Sequence, residues 1–204
     1  YYTLSGVVPN AGDIKFVPQR DIEYKQEITD EDRTILGKDV PDFTYGVNLS
    51  LQYKGFEFSM FGQGISGTKV AFDVYGVHPF YHGQDSPRKY HLKRWTEENP
   101  NPHAAYPRIY SASSVHTTYN RNFSDYHLFD SDYFRFKTLS LGYTVPSATV
   151  KNWGLQSLKV YVTGENLFTV RADKKMEDFD PETAGGVIYT LGTKSVAFGV
   201  NISF

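Results

Sequence analysis

The chain has 204 residues and no cysteine, which excludes disulfides and thiolate metal sites and fits many environments, including an oxidising periplasm or cell surface. It also lacks any run of eighteen apolar residues. That absence excludes an ordinary transmembrane helix but not a transmembrane barrel, because barrel strands alternate apolar and polar residues. Charge of one sign is not in excess: the net charge is -2, which gives no reason to expect nucleic acid as a partner.

An initiating methionine and an export signal are absent as well, since the sequence opens on Tyr1. We therefore expect a mature or internal piece of a longer protein. Aromatic residues, by contrast, are abundant, with 16 Tyr and 15 Phe. This composition favours β-strands and surfaces at which rings meet both oil and water.

The stretch 195–204 shows the clearest pattern, a strict period of two that ends on an aromatic residue. Its apolar positions are Val196, Phe198, Val200, Ile202 and Phe204. The pattern predicts a β-strand with one apolar face and one small, polar face. The apolar face would pack on a core in a soluble protein, or would meet lipid in an outer-membrane barrel.

Similar alternation predicts four further strands, so that the full set is 43–53, 55–64, 132–144, 157–170 and 193–204. Lys54-Gly55 is a two-residue connection with glycine, which predicts a hairpin. Connections are short after Tyr53 and Thr144 but longer after Gly64 and Val170. This alternation is typical of outer-membrane barrels, in which short turns are periplasmic and long loops extracellular.

Five strands cannot close a barrel, because the smallest barrels have eight. The predicted fold class is therefore all-β, an antiparallel transmembrane β-barrel of which this chain supplies the last five or so strands. The predicted organisation is an extracellular loop (1–42), a hairpin (43–64), a long extracellular loop (65–131) with a helical turn or two near 88–98, and the last three strands (132–204). A soluble antiparallel sandwich remains open on periodicity alone.

Several short sequence motifs resemble those of a known family. They are Gly12-Asp13-Ile14-Lys15, Asp32-Arg33-Thr34-Ile35-Leu36-Gly37, Pro41-Asp42-Phe43-Thr44-Tyr45-Gly46, Arg94-Trp95-Thr96-Glu97-Glu98-Asn99-Pro100, Tyr133-Phe134-Arg135-Phe136-Lys137, Gly164-Glu165-Asn166-Leu167-Phe168 and Phe179-Asp180-Pro181-Glu182. In this order they resemble the SusC/RagA family of TonB-dependent outer-membrane transporters. The resemblance runs through nearly the whole chain.

The resemblance implies a 22-stranded barrel in the bacterial outer membrane with an N-terminal plug that this chain does not contain. It also implies a SusD-like surface lipoprotein as a lid, energy from the TonB-ExbB-ExbD system through the missing N-terminal part, and import of glycans or peptides. By the same likeness, Phe204 belongs to the signal that barrel-assembly machinery reads. A calcium-type loop that many members carry after the Gly-Asp-Ile-Lys words is missing here, so no cofactor is expected in this segment, although calcium elsewhere in the complex stays open.

Two groups of residues are candidates for substrate binding. Tyr75, Tyr81, Tyr90 and Trp95, with Phe80, could stack sugar rings or peptide side chains, or could simply pack the long loop on itself or against the lid protein. Lys159, Tyr161 and Glu165 would face the lumen if the alternate residues face lipid, where they could touch substrate or pair with plug side chains.

Catalysis and metal binding find little support in the pattern. His78 and His82 have helical spacing, but Pro79 lies between them and the glutamate of a zinc-protease motif is missing. We therefore expect exposed loop histidines. The carboxylate pairs Asp125, Asp130 and Asp132, or Glu97 and Glu98, have no spacing that specifies acid-base work. The chain is predicted to be a transporter and not an enzyme, with a secreted carbohydrate-binding β-sandwich module as the alternative.

Overall fold

The computed structural model describes the chain except for residues 1, 24–25, 72–77, 81–85, 175–178 and 184–191. Its residues form two compact units. We call Tyr1–Gly37 with Ala71–Leu128 the loop unit, and Lys38–Val70 with Phe129–Phe204 the sheet unit. No helix in the described part of the chain is long and apolar enough to cross a membrane.

The loop unit has little regular structure. Strands β1 (Thr3–Leu4) and β2 (Glu27–Ile28) pair in parallel over two residues each. Helix α1 (Val115–Asn120) begins after Ser114, whose hydroxyl accepts a hydrogen bond from the His116 amide and so caps the helix. The described part of the unit also contains 3-10 turns at Asp30–Asp32, Lys89–Lys93 and Asp125–His127. The helical turn predicted near 88–98 is thus a 3-10 turn, and α1 was not predicted because six residues are too few to show a period.

The sheet unit is built on five antiparallel strands. Their bounds are β3 (Phe43–Tyr53), β4 (Phe56–Ser66), β7 (Tyr133–Thr144), β8 (Ser157–Arg171) and β9 (Ser195–Ser203), and their order in the sheet is β3-β4-β7-β8-β9. Two short strands, β5 (Lys69–Ala71) and β6 (Leu128–Asp130), pair with each other, and helix α2 (Ser147–Lys151) follows β7. All five predicted strands are present, each with ends within about two residues of the prediction.

The connections of the sheet follow from local chemistry. Lys54 and Gly55 both have positive φ, 47° and 87°, so the predicted hairpin closes through a turn of the type that matches strand twist. A Cβ at position 55 would lie 2.7 Å from the Thr144 carbonyl oxygen, which is why glycine is needed there. Pro146 follows the end of β7 and precedes α2, which buries Val150 completely.

The register gives the sheet one apolar and one polar face. Across the five strands one row of Cα partners is apolar: Leu51, Phe58, Leu141, Val162 and Phe198. The next row, on the opposite face, is made of small and mostly polar residues: Ser50, Ser59, Ser140, Thr163 and Ala197. Leu141 and Phe198 are 49% and 84% exposed, so this apolar face is not the inside of a core. The other two sheets among the described residues have only two strands each, so the second layer of a sandwich is not found there.

Candidate functional site

The polar face of the sheet carries the residues with functional chemistry, and two charge networks lie at different heights on it. The first joins three strands. Lys159 Nζ of β8 contacts Glu57 Oε2 of β4 at 2.5 Å, reaching across Gly142 of the intervening strand β7. Thr144 also donates to Glu57. Because glycine has no side chain, the lysine stem can lie over position 142.

Tyr161 likewise lies over a glycine of the neighbouring strand. Its ring lies over Gly199 of β9, where any Cβ would overlap the ring. A shallow cavity of about 300 Å³ opens beside these side chains, near the end of the sheet that carries the Lys54-Gly55 turn. The residues that line it are mostly polar: Ser50, Leu51, Gln52, Glu57, Phe58, Ser59, Ser140, Gly142, Lys159, Tyr161, Thr163 and Asn201.

Lys159, Tyr161 and Glu165 therefore lie on the polar face, as their alternation predicts. Lys159 and Tyr161 line the cavity together, whereas Glu165 lies further along β8 and accepts a hydrogen bond from Ser195 at 3.0 Å. Substrate binding by these three residues stays a prediction. Glu57 could not be predicted as the partner of Lys159, because the two are 102 residues apart.

The second network lies toward the opposite end of β7, and its central pair, Arg135 and Asp180, is buried. Arg135 donates two hydrogen bonds to Asp180, from Nη2 to Oδ1 at 2.6 Å and from Nη1 to Oδ2 at 3.2 Å. Its side chain and that of Asp180 are only 5% and 7% exposed. Glu182 completes the network, accepting from Arg135 at 3.1 Å and from Lys137 at 2.6 Å. The charges balance, with two cations and two carboxylates.

Asp180 is held ionised by this arrangement. Burial by itself raises the pKa of the Asp180 carboxyl, but hydrogen bonds from Arg135 and from the Glu182 amide outweigh burial, and the pKa is lower than its usual value. A bidentate guanidinium-carboxylate pair of this kind also fixes orientation. The Arg135-Asp180 pair is thus fixed in its orientation on the polar face of the sheet.

A larger cavity, about 490 Å³, lies beside the second network. Its lining mixes polar, charged and apolar groups: Asp39, Gln63, Ile65, Thr68, Lys69, Val70, Ser131, Tyr133, Pro181 and Glu182. All of them belong to the sheet unit. Thr68 is fixed by the Ser131 hydroxyl at 2.5 Å and by the Asp132 carboxylate, which accepts from the Thr68 amide at 3.0 Å.

The aromatic candidates of the long loop are placed as follows. Tyr75 and Tyr81 lie outside the described residues. Trp95 lies against Gly12, where a Cβ would overlap its ring, and the Arg108 guanidinium stacks 5.7 Å from the ring centroid. The Tyr90 ring lies 4.0 Å from that of His91. Both side chains pack within the loop unit, and their role in substrate binding stays a prediction.

The expectation of exposed loop histidines is wrong for three of them. His78, His91 and His127 are 4%, 1% and 3% exposed, because their rings pack with Tyr106 and with one another in the loop unit. His82 lies outside the described residues. In the part of the chain that the structure describes, no group of three or more histidine or carboxylate side chains could hold a metal ion.

Three of the carboxylates considered as acid-base pairs contact different partners. Glu97 forms an ion pair with Arg108 at 2.8 Å, and Asp132 and Asp130 accept hydrogen bonds from backbone amides. In the stretch that lacks a calcium-type loop, the Arg20 guanidinium contacts Asp32 at 2.8 Å and Glu31 at 2.6 Å. The hydrogen bond from Arg20 holds the pKa of Asp32 well below its usual range.

One buried polar cluster was missed at the sequence level. The Asp13 side chain is fully buried and accepts from His116 Nδ1 at 2.8 Å, from Asn120 at 2.9 Å and from the Asn10 amide at 2.7 Å. His116 Nε2 lies 2.9 Å from the Asn10 side-chain nitrogen, which fixes the ring by a contact on each side. The cluster ties residues 10–14 to α1, and burial raises the pKa of the neighbouring Tyr119 to about 12.

The sequence of the chain is similar to those of two TonB-dependent receptors. No family model matches the chain. TonB-dependent receptor P3 of Formosa agariphila is 29% identical over 167 residues, which is 82% of this chain and 15% of that protein. TonB-dependent receptor P26 of the same organism is 28% identical over 187 residues, or 87% of this chain and 18% of that protein. The chain thus spans less than a fifth of the length of either relative.

Two solved structures of RagAB are similar to this chain in fold. The RagAB peptide importer in its open-open state superposes with a TM-score of 0.64 and 24% identity over 93% of this chain and 20% of that chain. The RagAB peptide transporter gives 0.58 and 25% over 80% of this chain and 17% of that chain. The resemblance to SusC/RagA-type TonB-dependent receptors is confirmed by these matches, and the sheet, although not closed in this chain, has the antiparallel architecture of their barrels.

Proposed function

We propose that this SusC/RagA-like chain forms part of the wall of an outer-membrane barrel, and that the complete protein imports large nutrients, glycans or peptides, in a TonB-dependent manner. The observation that carries the proposal is the register. One face of the five strands is apolar and exposed or half-exposed along its length, and the other is polar and carries charge networks. Lipid outside and a wet lumen inside require this division.

The height of the apolar face supports the same reading. On β3 it runs from Tyr45 to Tyr53, which is about 27 Å along a strand, or about 20 Å across the membrane at a tilt of about 40°. Aromatic rings lie near both ends: Phe56 and Tyr143 meet at 4.6 Å at one end, and Tyr45 stacks on Phe134 at 6.0 Å at the other. Such girdles mark the two membrane interfaces.

The open edges of the sheet explain why more strands are needed. Each described edge strand, β3 and β9, pairs on one side only. Unpaired backbone groups in hydrocarbon cost several kcal/mol each, so in a membrane both edges must continue into further strands. The relatives, more than five times as long as the matched segment, have the length to supply them.

Partners follow from the SusC/RagA resemblance. We propose a SusD-like surface lipoprotein, the TonB-ExbB-ExbD system acting through a part of the protein that this chain does not contain, and a glycan or peptide cargo. The loops 1–42 and 65–131 would be extracellular, and Phe204 would belong to the assembly signal. The similarity to a structure described as a peptide importer supports peptides as one cargo class.

The test uses the complete protein. Outer-membrane fractionation followed by electrophoresis with and without heating should show a heat-modifiable barrel. Cells that lack the gene should stop depleting either the peptides of a casein digest or a mixture of oligosaccharides from the medium. The proposal fails if the 204-residue chain alone gives a soluble, cooperatively melting monomer without detergent, since that result would favour the secreted sandwich.

A further inference from the structure

In the connection between β8 and β9, the turn Phe179–Thr183 is fixed to the polar face of the sheet. Arg135, which holds Asp180, is paired across the sheet with Gln63 and Thr169, both within strands. Lys137, which holds Glu182, lies at a bulge still further along β7. From Tyr133 at the start of β7 to Lys137 the strand advances about 13 Å.

The turn is rigid by its own hydrogen bonds. Asp180 Oδ1 accepts from the Glu182 amide at 3.0 Å, and the Asp180 carbonyl accepts from the Thr183 amide at 3.1 Å. Arg171 of β8 donates to the Phe179 carbonyl at 3.4 Å. Phe179, Asp180 and Pro181 are buried, so these contacts exclude water from the base of the turn.

Glycine again allows the close approach. At Gly192, shortly before β9, a Cβ would overlap the Asp180 carboxylate. The chain that leaves the turn therefore returns past the same anchor. Described residues on both sides of the connection meet at one carboxylate, which Arg135 holds against the wall.

We propose that Phe179–Thr183 is an inward-folded constriction of the transport lumen, with Arg135 and Lys137 as the positioning residues that hold it on the wall. The inference rests on the proposed function, because the polar face is luminal only if the sheet is part of a barrel. Glu182 and Pro181 of the turn also line the 490 Å³ cavity, so the constriction shapes the space through which cargo passes.

Cysteine labelling on intact cells tests this position. The chain has no cysteine of its own and Thr183 is half-buried, so labelling of Thr183→Cys in the complete transporter, above that of the unsubstituted protein, reports on this position. We expect a small charged methanethiosulfonate reagent to label it and a bulky polyethylene-glycol maleimide to fail. Lys174→Cys, exposed in the same connection just beyond β8, is the matched control that both reagents should label.

Removal of the Arg135-Asp180 pair provides the second part of the experiment. Arg135→Met with Asp180→Asn removes one cation and one carboxylate together, so that no buried charge is left without its partner. In that background the bulky reagent should gain access to Thr183→Cys. Equal labelling of Thr183→Cys by both reagents in the intact network, or no gain after release, would overturn the constriction. Loss of the heat-modifiable barrel in the Lys174→Cys control would instead count against the proposed function.

Discussion

The two faces of the sheet share one backbone but differ in their chemistry. On the apolar face, exposed leucine, valine and phenylalanine side chains repeat with no charge among them. On the polar face, every cation of the two networks touches a carboxylate, either buried, as at Arg135, or half-exposed, as at Lys159. The difference teaches that the apolar face is not covered by a core within the described residues, whereas the polar face satisfies its charges within the sheet unit.

The largest expected effect comes from breaking the buried network with a single change. Arg135→Met leaves Asp180 and Glu182 without their shared guanidinium in a site that excludes water. Removal of one partner of a buried pair typically costs about 3–5 kcal/mol. We expect that loss in the urea-induced unfolding of the complete transporter in detergent. A smaller loss in Arg135→Met/Asp180→Asn would show that the uncompensated charge is the cause.

A charge placed on the apolar face should cost slightly less. Leu139 lies on β7 between Phe134 and Tyr143, near the middle of the apolar band. Arginine at the membrane midplane of a barrel costs about 2–4 kcal/mol. The neighbouring Thr138 lies on the polar face opposite Glu165, so Thr138→Arg is the matched control and should assemble nearly normally. Equal folded fractions of the two variants in heat-modifiability gels would mean that the faces are wrongly assigned.

The pH dependence sharpens the comparison within the polar face. Because the folded pKa of Asp180 is lowered, its stabilisation is complete above the unfolded value, about 3.9, and is lost as pH falls through the lower folded value. Stability should therefore fall in the acid range below about pH 4. In Asp180→Asn this part of the loss should disappear, whereas a curve that overlays the wild type would show that Asp180 does not titrate with folding.

The smallest effect is expected at the half-exposed pair. The side chains of Lys159 and Glu57 are 33% and 36% exposed, and pairs so accessible to solvent contribute little to stability. A double-mutant cycle with Lys159→Met and Glu57→Gln should therefore give a coupling free energy several-fold smaller than that of Arg135 with Asp180. A coupling as large as that of Arg135 with Asp180 would remove the distinction between the two networks.

The alternating strands could be predicted from the sequence because a period of two depends on each residue and its immediate neighbours. Strand 195–203, the Lys54-Gly55 hairpin and the shared polar face of Lys159 and Tyr161 all follow from that local pattern. The resemblance to the family included Phe179-Asp180-Pro181-Glu182 but said nothing of its partner in the fold. Contacts between residues 45 positions apart, as between Arg135 and Asp180, leave no periodic signal.

The burial of the histidines also could not be predicted from the local sequence. Loop composition favours exposure, yet His91 is 1% exposed, because Tyr106 packs at 4.6 Å against its ring. Packing of this kind joins distant segments of the loop unit. The buried Asp13, more than 100 residues from His116, could not be found from spacing for the same reason.

A nitroxide scan along 195–203 in the complete transporter, reconstituted in a lipid bilayer, tests the central claim most directly. Collisions with oxygen, which concentrates in lipid, should peak at Val196, Phe198, Val200 and Ile202 and fall at the residues between them, with a period of two. The same period in the opposite phase, or uniformly low oxygen collision at all positions, would contradict a lipid-facing apolar face.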